Sequence, residues 1–217
     1  INTGKKEKEF RQKICNRFKA PFATATTSGT NALKIALKSI GIGPGDEVVS
    51  TPYTFMATNT AILELGAKPV FADIQYDTLN IDPISVAEKI TDKTKAIMCV
   101  HYAGNAVDLN ELRDVANQHN LPIIEDSAHA MATEYQGMPI GSTGDMACFS
   151  FQCVKIVTCG DGGVVTTTSK DLHEKMQKIS WYGINRDAKK LDILDPLPHS
   201  PDGLGLKANM NDIIATL

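Results

Sequence analysis

The chain has 217 residues, of which 42% are hydrophobic, so it is long enough to bury one full-sized core. Its 22 basic and 25 acidic residues nearly cancel, and this balance favours small-molecule partners over nucleic acid or a membrane surface. No apolar run reaches the roughly 20 residues that cross a bilayer, and residues 1–10 are too charged for a signal peptide, so we expect a cytoplasmic protein.

Helix and strand patterns alternate along the chain. An amphipathic helix is predicted over residues 6–18, where Phe10, Ile14 and Phe18 recur every four residues. A second helix is predicted over residues 31–40. Beyond it, the predicted strands cover residues 47–50, 69–72, 96–100 and 121–125, and the predicted helices cover residues 57–65, 83–90 and 109–118.

These strand runs are apolar throughout, which is typical of strands buried on both faces. We therefore predict an α/β fold of three layers, with helices on both faces of a mostly parallel sheet. Two further apolar runs, residues 146–151 and 163–167, flank a glycine turn and predict a hairpin. A helix is predicted over residues 172–181, and residues 187–206 are predicted to be a surface loop or mobile lid.

Two patterns in the sequence do not match the cofactor and metal sites that such patterns often form. The glycine-rich run 41–45 closes a helix and precedes a strand, whereas a dinucleotide-binding loop follows a strand and opens a helix. The five cysteines form no CxxC pair and no zinc-like spacing, so we interpret them as small buried residues in a reducing compartment and expect no metal site.

Residues 27–33, Thr-Ser-Gly-Thr-Asn-Ala-Leu, place a glycine turn and hydroxyl groups at the start of a helix. Free backbone N–H groups at a helix N-terminus bind anions, so this segment is a candidate phosphate site. The alternative is an ordinary helix N-cap without a ligand.

Residues 123–129, Ile-Ile-Glu-Asp-Ser-Ala-His, place two carboxylates and a histidine at the carboxyl end of a predicted buried strand. Open α/β sheets bind ligands at that edge. Taken alone, Asp126 could instead cap a helix and His129 could be a core histidine with satisfied hydrogen bonds.

Residues 148–155, Cys-Phe-Ser-Phe-Gln-Cys-Val-Lys, form an apolar run that ends in a lone lysine. Apolar surroundings disfavour the charged form of a lysine, so we expect its pKa to fall and its amine to be nucleophilic. The alternative is that Lys155 extends to the surface from a strand end.

Taken together, these motifs resemble the DegT/DnrJ/EryC1/StrS family of sugar aminotransferases, which depend on pyridoxal 5′-phosphate (PLP) and have the aspartate-aminotransferase type I fold. The resemblance runs from about Thr26 to Arg186 and rests on several blocks in the same order. The blocks are Thr-Ser-Gly-Thr-Asn-Ala-Leu, Gly-Pro-Gly-Asp-Glu-Val-Val, Pro-Tyr-Thr-Phe-Met-Ala-Thr, Ile-Glu-Asp-Ser-Ala-His-Ala, and Phe-Ser-Phe-Gln-Cys-Val-Lys followed by Gly-Asp-Gly-Gly.

The resemblance implies three catalytic residues. Lys155 would hold PLP through a Schiff base and would later move the proton between the substrate carbon and the cofactor carbon. Asp126 would pair with the pyridine nitrogen and keep it protonated, so that the ring can accept electrons. His129 would lie near the ring hydroxyl.

The remaining implied contacts hold the cofactor in place. Phe55 would stack on the ring, and Gly29, Thr30 and Ser150 would bind the phosphate. Asn209 resembles a family asparagine that reaches the cofactor of the partner subunit, which implies a homodimer with shared active sites.

Two departures from the family pattern stand out. Family members continue into a smaller second domain, whereas this sequence ends at Leu217, so we expect residues 1–217 to be the large PLP-binding domain of a longer protein. Asp161 replaces the more usual glutamate after the lysine.

The resemblance implies transfer of an amino group from an amino acid, with glutamate expected as the donor, to a nucleotide-linked keto-deoxysugar. One alternative is a PLP-dependent sugar dehydratase of the same family, but such members carry histidine at the position of Lys155. A second alternative is a non-catalytic fragment that binds PLP or promotes dimerisation.

Overall fold

The computed structural model of the protein describes residues 4–142, 144–184 and 203–217. Its main sheet has seven strands and is flanked by six α-helices within these ranges. The strands of the main sheet are β1 (Phe22–Thr26), β2 (Glu47–Ser50), β3 (Lys68–Phe71), β4 (Thr94–Val100), β5 (Ile123–Asp126), β8 (Met146–Ser150) and β9 (Gly163–Thr167). A separate hairpin is formed by β6 (Glu134–Tyr135) and β7 (Met138–Pro139). The helices are α1 (Lys5–Phe18), α2 (Gly29–Ser39), α3 (Ala57–Leu63), α4 (Pro83–Lys89), α5 (Leu109–Gln118) and α6 (Lys170–Ser180).

The strands of the main sheet lie in the order β1-β9-β8-β5-β4-β2-β3. Strands β8, β5, β4, β2 and β3 pair in parallel, and β9 runs antiparallel to both of its neighbours, β1 and β8. The predicted mostly parallel α/β sheet is therefore confirmed. So is the predicted hairpin, in which Cys148 of β8 lies opposite Val165 of β9.

Helices cover both faces of this sheet, which makes three layers. Alternate residues of β4 show the division: Ala96 and Met98 pack in the cluster of α2, α3 and α6, whereas Ile97 and Cys99 pack in the cluster of α4 and α5. Helix α1 packs on the second face through Phe18, whose ring stacks on Phe149 at 4.2 Å between centroids. Because both faces are covered, the inner strands β4, β5 and β8 are almost entirely buried.

Side-chain caps fix where several helices begin. The Ser28 hydroxyl accepts a hydrogen bond from the Asn31 N–H at the start of α2, and Asp108 accepts two backbone N–H bonds at the start of α5. Asp82 and Ser169 cap α4 and α6 in the same way. Because these caps are local, the helix bounds agree with the predicted ones to within about two residues.

The structure adds elements that were not predicted. Strand β1 forms the edge beside β9, and the β6–β7 hairpin lies between β5 and β8 in the chain. Residues 187–202 of the predicted loop or lid lie outside the described residues. Within the described ranges, no helix is both long enough and apolar enough to span a bilayer.

Candidate active site

A cavity of about 670 Å³ opens at the carboxyl edge of the sheet, where Val100, Asp126 and Ser150 end the neighbouring strands β4, β5 and β8. Seven of the eight predicted cofactor-binding residues line it. They are Gly29, Thr30, Phe55, Asp126, His129, Ser150 and Lys155. The parallel strands thus bring together motifs that are up to 126 residues apart in the chain (from position 29 to position 155).

One end of the cavity is formed by the N-terminus of α2. The backbone N–H groups of Gly29 and Thr30 fall in the first turn, where a helix offers them no internal acceptor. Gly29 packs so closely on Ser150 that an added Cβ would lie 2.8 Å from the Ser150 Cβ. Backbone N–H donors and the Ser150 hydroxyl therefore lie together at this end of the cavity. The partial positive charge of the helix N-terminus makes this end suited to binding an anion.

Asp126 supplies a buried carboxylate at the end of β5, with 7% of its surface exposed. Its Oδ2 accepts a hydrogen bond from the Thr58 hydroxyl at 2.7 Å, and its Oδ1 accepts one from the Ala128 N–H at 3.2 Å. Burial raises the pKa of the neighbouring Cys148 thiol, and the negative charges of Asp126 and Glu125 raise it further.

His129 lies on the exposed side of the cavity. Partial burial lowers the pKa of its imidazole, the Lys155 charge lowers it further, and the Asp126 carboxylate opposes both effects. The neutral ring is therefore the favoured form near pH 7, and it can either donate or accept a hydrogen bond.

Lys155 lies on the loop that follows β8, because the strand ends five residues earlier at Ser150. Its backbone N–H donates to the Gln152 carbonyl at 2.9 Å, which closes a turn. The lysine is half-buried, whereas the neighbouring Val154 and Ile156 are both 78% exposed. Lys155 and Val154 both line the cavity, whereas Ile156 is not part of its lining.

The profile of the DegT/DnrJ/EryC1/StrS aminotransferase family matches residues 1–217. The chain belongs to this family. The matched range covers the whole sequence, so the resemblance read from separate blocks of residues extends beyond them to both ends.

Relatives of known name or structure agree with this assignment. Spore coat polysaccharide biosynthesis protein SpsC of Bacillus subtilis is 39% identical over 100% of this chain and 56% of its own length. An aminotransferase from Psychrobacter cryohalolentis matches with a TM-score of 0.92 at 36% identity, over 99% of this chain and 55% of that one. DesI, solved in the presence of its TDP-sugar product, matches with a TM-score of 0.88 at 33% identity, over 99% of this chain and 51% of that one.

The structural relatives are PLP-dependent aminotransferases of fold type I, and several were solved with PLP or with its amino form, PMP. The chain spans about half the length of the curated relatives it matches. The cavity of this family member has the groups that such a cofactor needs: an amine at Lys155, a buried carboxylate at Asp126, and free N–H groups at the start of α2.

Asn209 is the predicted site residue that the cavity does not include. It forms an isolated bridge with Thr26 beside β1, and its Oδ1 accepts a hydrogen bond from the Lys207 amine at 2.7 Å. Its predicted contact is with the cofactor of a partner subunit, so that contact stays a prediction.

The sequence interpretation missed four residues near the cavity. Thr54 lines it, and Thr58 lies behind it against Asp126. Tyr102, from the segment after β4, also lines it and packs against Tyr53 with 4.7 Å between ring centroids and 40° between the ring planes. The block Pro-Tyr-Thr-Phe-Met-Ala-Thr, from which Phe55 alone was chosen, contains three of these four residues.

Proposed function

We propose that residues 1–217 form the large domain of a PLP-dependent aminotransferase that acts on a nucleotide-linked keto-deoxysugar, with an amino acid, glutamate, as donor. The observation that carries this proposal is the convergence of Lys155, Asp126 and the N-terminus of α2 on one cavity of a family member. These groups lie where a fold of this kind binds its ligand, at the carboxyl edge of the sheet.

Three residues of the cavity would take part in the chemistry. When bound, PLP supplies a ring that accepts the electron pair left after a proton leaves the donor carbon. The Lys155 amine would remove that proton and return one to the neighbouring carbon. The buried Asp126 carboxylate would hold the ring nitrogen protonated, and the neutral His129 would hydrogen-bond the ring hydroxyl.

Other residues of the cavity would hold the cofactor in place. The N–H groups of Gly29 and Thr30 and the hydroxyl of Ser150 would bind the phosphate, and Phe55 would cover one face of the ring. Phe55 is 73% exposed, so its ring is free to take up that contact.

Two relatives support a sugar substrate. SpsC is named for polysaccharide biosynthesis, and DesI was solved with a TDP-sugar product. We therefore infer an activated sugar with a keto group as acceptor, since an amine can be placed on a carbonyl carbon but not on an alcohol carbon by this chemistry.

A homodimer is part of the proposal because apolar side chains surround the cavity. Phe55, Met56, Val154 and Ile156 are each more than 70% exposed, and Val157 is 50% exposed. Contiguous exposed apolar side chains are typical of protein interfaces. In the homodimer that we propose, Asn209 of each copy would reach the cofactor of its partner.

The full-length protein offers a direct test. PLP added to it should give a visible absorption band from the linkage to Lys155, and glutamate should then bleach that band as the amino group moves to the cofactor. Lys155→Ala, which keeps the phosphate site, is the matched control and should lack the band. A full-length protein that binds PLP but does not respond to any amino donor would favour the non-catalytic alternative.

A further inference from the structure

Two threonine hydroxyls form a chain that ends on Asp126. The Thr58 Oγ1 lies 2.7 Å from Asp126 Oδ2, and the Thr54 Oγ1 lies 2.8 Å from Thr58 Oγ1. Thr58 lies in the first turn of α3, and Thr54 lies in the bend that precedes this helix. Thr58 is fully buried, whereas Thr54 lines the cavity.

The direction of these bonds follows from hydrogen counting. An ionised carboxylate has no hydrogen to donate, so the Thr58 hydroxyl must donate its single hydrogen to Asp126. Thr58 can then only accept from Thr54, which becomes the donor of the second bond. Both hydroxyl dipoles therefore point towards the carboxylate, and each polarises the next.

The carboxylate is held at both oxygens. Oδ2 accepts from Thr58, and Oδ1 accepts from the Ala128 N–H. A hydrogen bond from a hydroxyl to a charged carboxylate is short and strong, and both ends of this one are buried. The two bonds fix the plane of the carboxylate relative to the sheet edge.

We propose that Thr58 is a positioning residue, which, supported by Thr54, holds the Asp126 carboxylate ionised and in the plane required to contact the ring nitrogen of the cofactor. This inference rests on the proposed function, because it assigns Asp126 to that nitrogen. It adds a role for a residue that cannot touch the cofactor itself.

The other groups around Asp126 do not substitute for this hydroxyl. His129 and Lys155 line the same cavity, where the Lys155 and Asp126 charges act in opposite directions on the pKa of His129. The Cys99 and Cys148 thiols lie on the flanking strands, and burial together with the carboxylate charges raises their pKa, so they stay neutral. Glu125, the residue before Asp126 in the chain, is also buried, and a negative charge on it would disfavour a negative charge on Asp126. Residues 54–58, which supply the two hydroxyls, carry no charged side chain.

The test uses full-length protein loaded with PLP labelled with ¹⁵N in the ring, because the ¹⁵N chemical shift reports directly whether the ring nitrogen is protonated. In the unmodified protein the nitrogen should stay protonated across neutral pH. In Thr58→Val, which keeps the shape but removes the hydroxyl, it should lose its proton at a pH lower by about one unit or more. Thr58→Ser should restore the original titration, and Thr54→Val should shift it in the same direction by less.

The control is Thr166→Val, which removes another buried hydroxyl bond, to the Gly141 carbonyl; neither Thr166 nor Gly141 lines the cavity. It should leave the ¹⁵N titration unchanged. A ring nitrogen that is unprotonated in the unmodified protein would refute the assignment of Asp126 and with it the proposed function. A protonated nitrogen that titrates identically in Thr58→Val and Thr54→Val would refute the role of Thr58 alone. If Thr58→Val does not fold, Thr54→Val alone tests the role of the two hydroxyls: a shifted ¹⁵N titration supports it and an unchanged one refutes it.

Discussion

Gly29, the first residue of helix α2, lies directly against Ser150, the last residue of strand β8. A Cβ added at Gly29 would stand 2.8 Å from the Ser150 Cβ, closer than real side chains approach, and 3.1 Å from the Ser150 Oγ. The helix N-terminus and the strand end therefore form one continuous wall of the cavity. This contact explains why a glycine occurs at the first position of the helix, where most residues would serve equally well as helix formers.

The first prediction is that Gly29→Ala weakens PLP binding in the full-length protein. The new methyl group must displace Ser150 or the first turn of α2, and either movement separates the donors that we assign to the phosphate. We expect the dissociation constant to rise about tenfold or more, equivalent to about 1.4 kcal/mol. Equilibrium titration followed by the visible absorption band measures it.

Gly43→Ala is the matched control, because a Cβ at that position meets nothing within 4 Å. It should leave PLP binding unchanged. If Gly29→Ala also binds PLP as tightly as the unmodified protein, the start of α2 is an ordinary helix cap and the phosphate binds elsewhere.

The second prediction concerns the hydroxyl of the same wall. Ser150→Ala keeps the Cβ that packs on Gly29 and removes one donor to the phosphate, so retention of PLP should weaken by roughly 1–3 kcal/mol. Ser39→Ala removes a buried hydroxyl whose partner is the Ala36 carbonyl, outside the cavity, and serves as the control. Equal dissociation constants for Ser150→Ala and the unmodified protein would contradict the assignment of Ser150.

Helices and strands were predictable where local sequence signals, such as helix caps and periodic apolar residues, determine their bounds. Helix α5 and strand β2 have the predicted bounds, because an Asp108 cap and an apolar run mark them in the sequence. Strand β1, Phe-Ala-Thr-Ala-Thr, was missed because it has only five residues and its two alanines, a type depleted in strands, offset the preference of Phe and Thr. Its position is set by pairing with β9, about 140 residues away in the chain, and such pairing is not visible locally.

The site was predictable to the extent that family motifs mark it. Asp126 and Lys155 belong to recognisable blocks, and the parallel sheet explains why they meet at one edge. The apolar run continues to residue 155 past the point where pairing with β9 ends at Ser150, so Lys155 lies on the loop after the strand. Thr58 has no distinctive sequence pattern, and its role depends on a contact with a residue 68 positions away.

The third prediction concerns the charge of His129 in the protein without PLP. Burial and the Lys155 charge lower the pKa of the imidazole below its ordinary value, whereas Asp126 raises it. Lys155→Met should therefore raise the pKa of His129, and Asp126→Asn should lower it. NMR titration of the imidazole Cε1 proton measures both shifts. Shifts of the opposite sign, or none in either variant, would mean that the three side chains do not share one cavity in solution.

The fourth prediction tests whether two chains share each active site. Gel filtration of the full-length protein should show at least a dimer. Lys155→Ala homodimers should lack the visible band, and Asn209→Ala homodimers should hold PLP more weakly. In mixed dimers one site combines the native Lys155 of one chain with the native Asn209 of the other, so co-expression should restore tight binding in that site. A mixture without recovery, or a monomer that binds PLP tightly, would contradict the shared site.

The last prediction is that Asp126→Asn leaves PLP bound but removes most of the transamination in the full-length protein. Asparagine keeps the size of the side chain and can still accept the Thr58 hydrogen bond, but it lacks the negative charge that keeps the ring nitrogen protonated. Binding should survive because the phosphate donors, Phe55 and Lys155 are unchanged.

The kinetic consequence of Asp126→Asn can be measured in a single half-reaction. Without a protonated ring the electrons left by removal of the donor proton are poorly accepted, so the barrier to that step rises. An increase of about 1.4 kcal/mol slows the step tenfold, and we expect a larger loss. The measurement is the rate at which glutamate bleaches the visible band of the PLP-loaded protein, with PLP occupancy verified separately by release and assay of the cofactor. Conversion at the unmodified rate would mean that Asp126 only caps the turn through Ala128 and that another group faces the ring nitrogen.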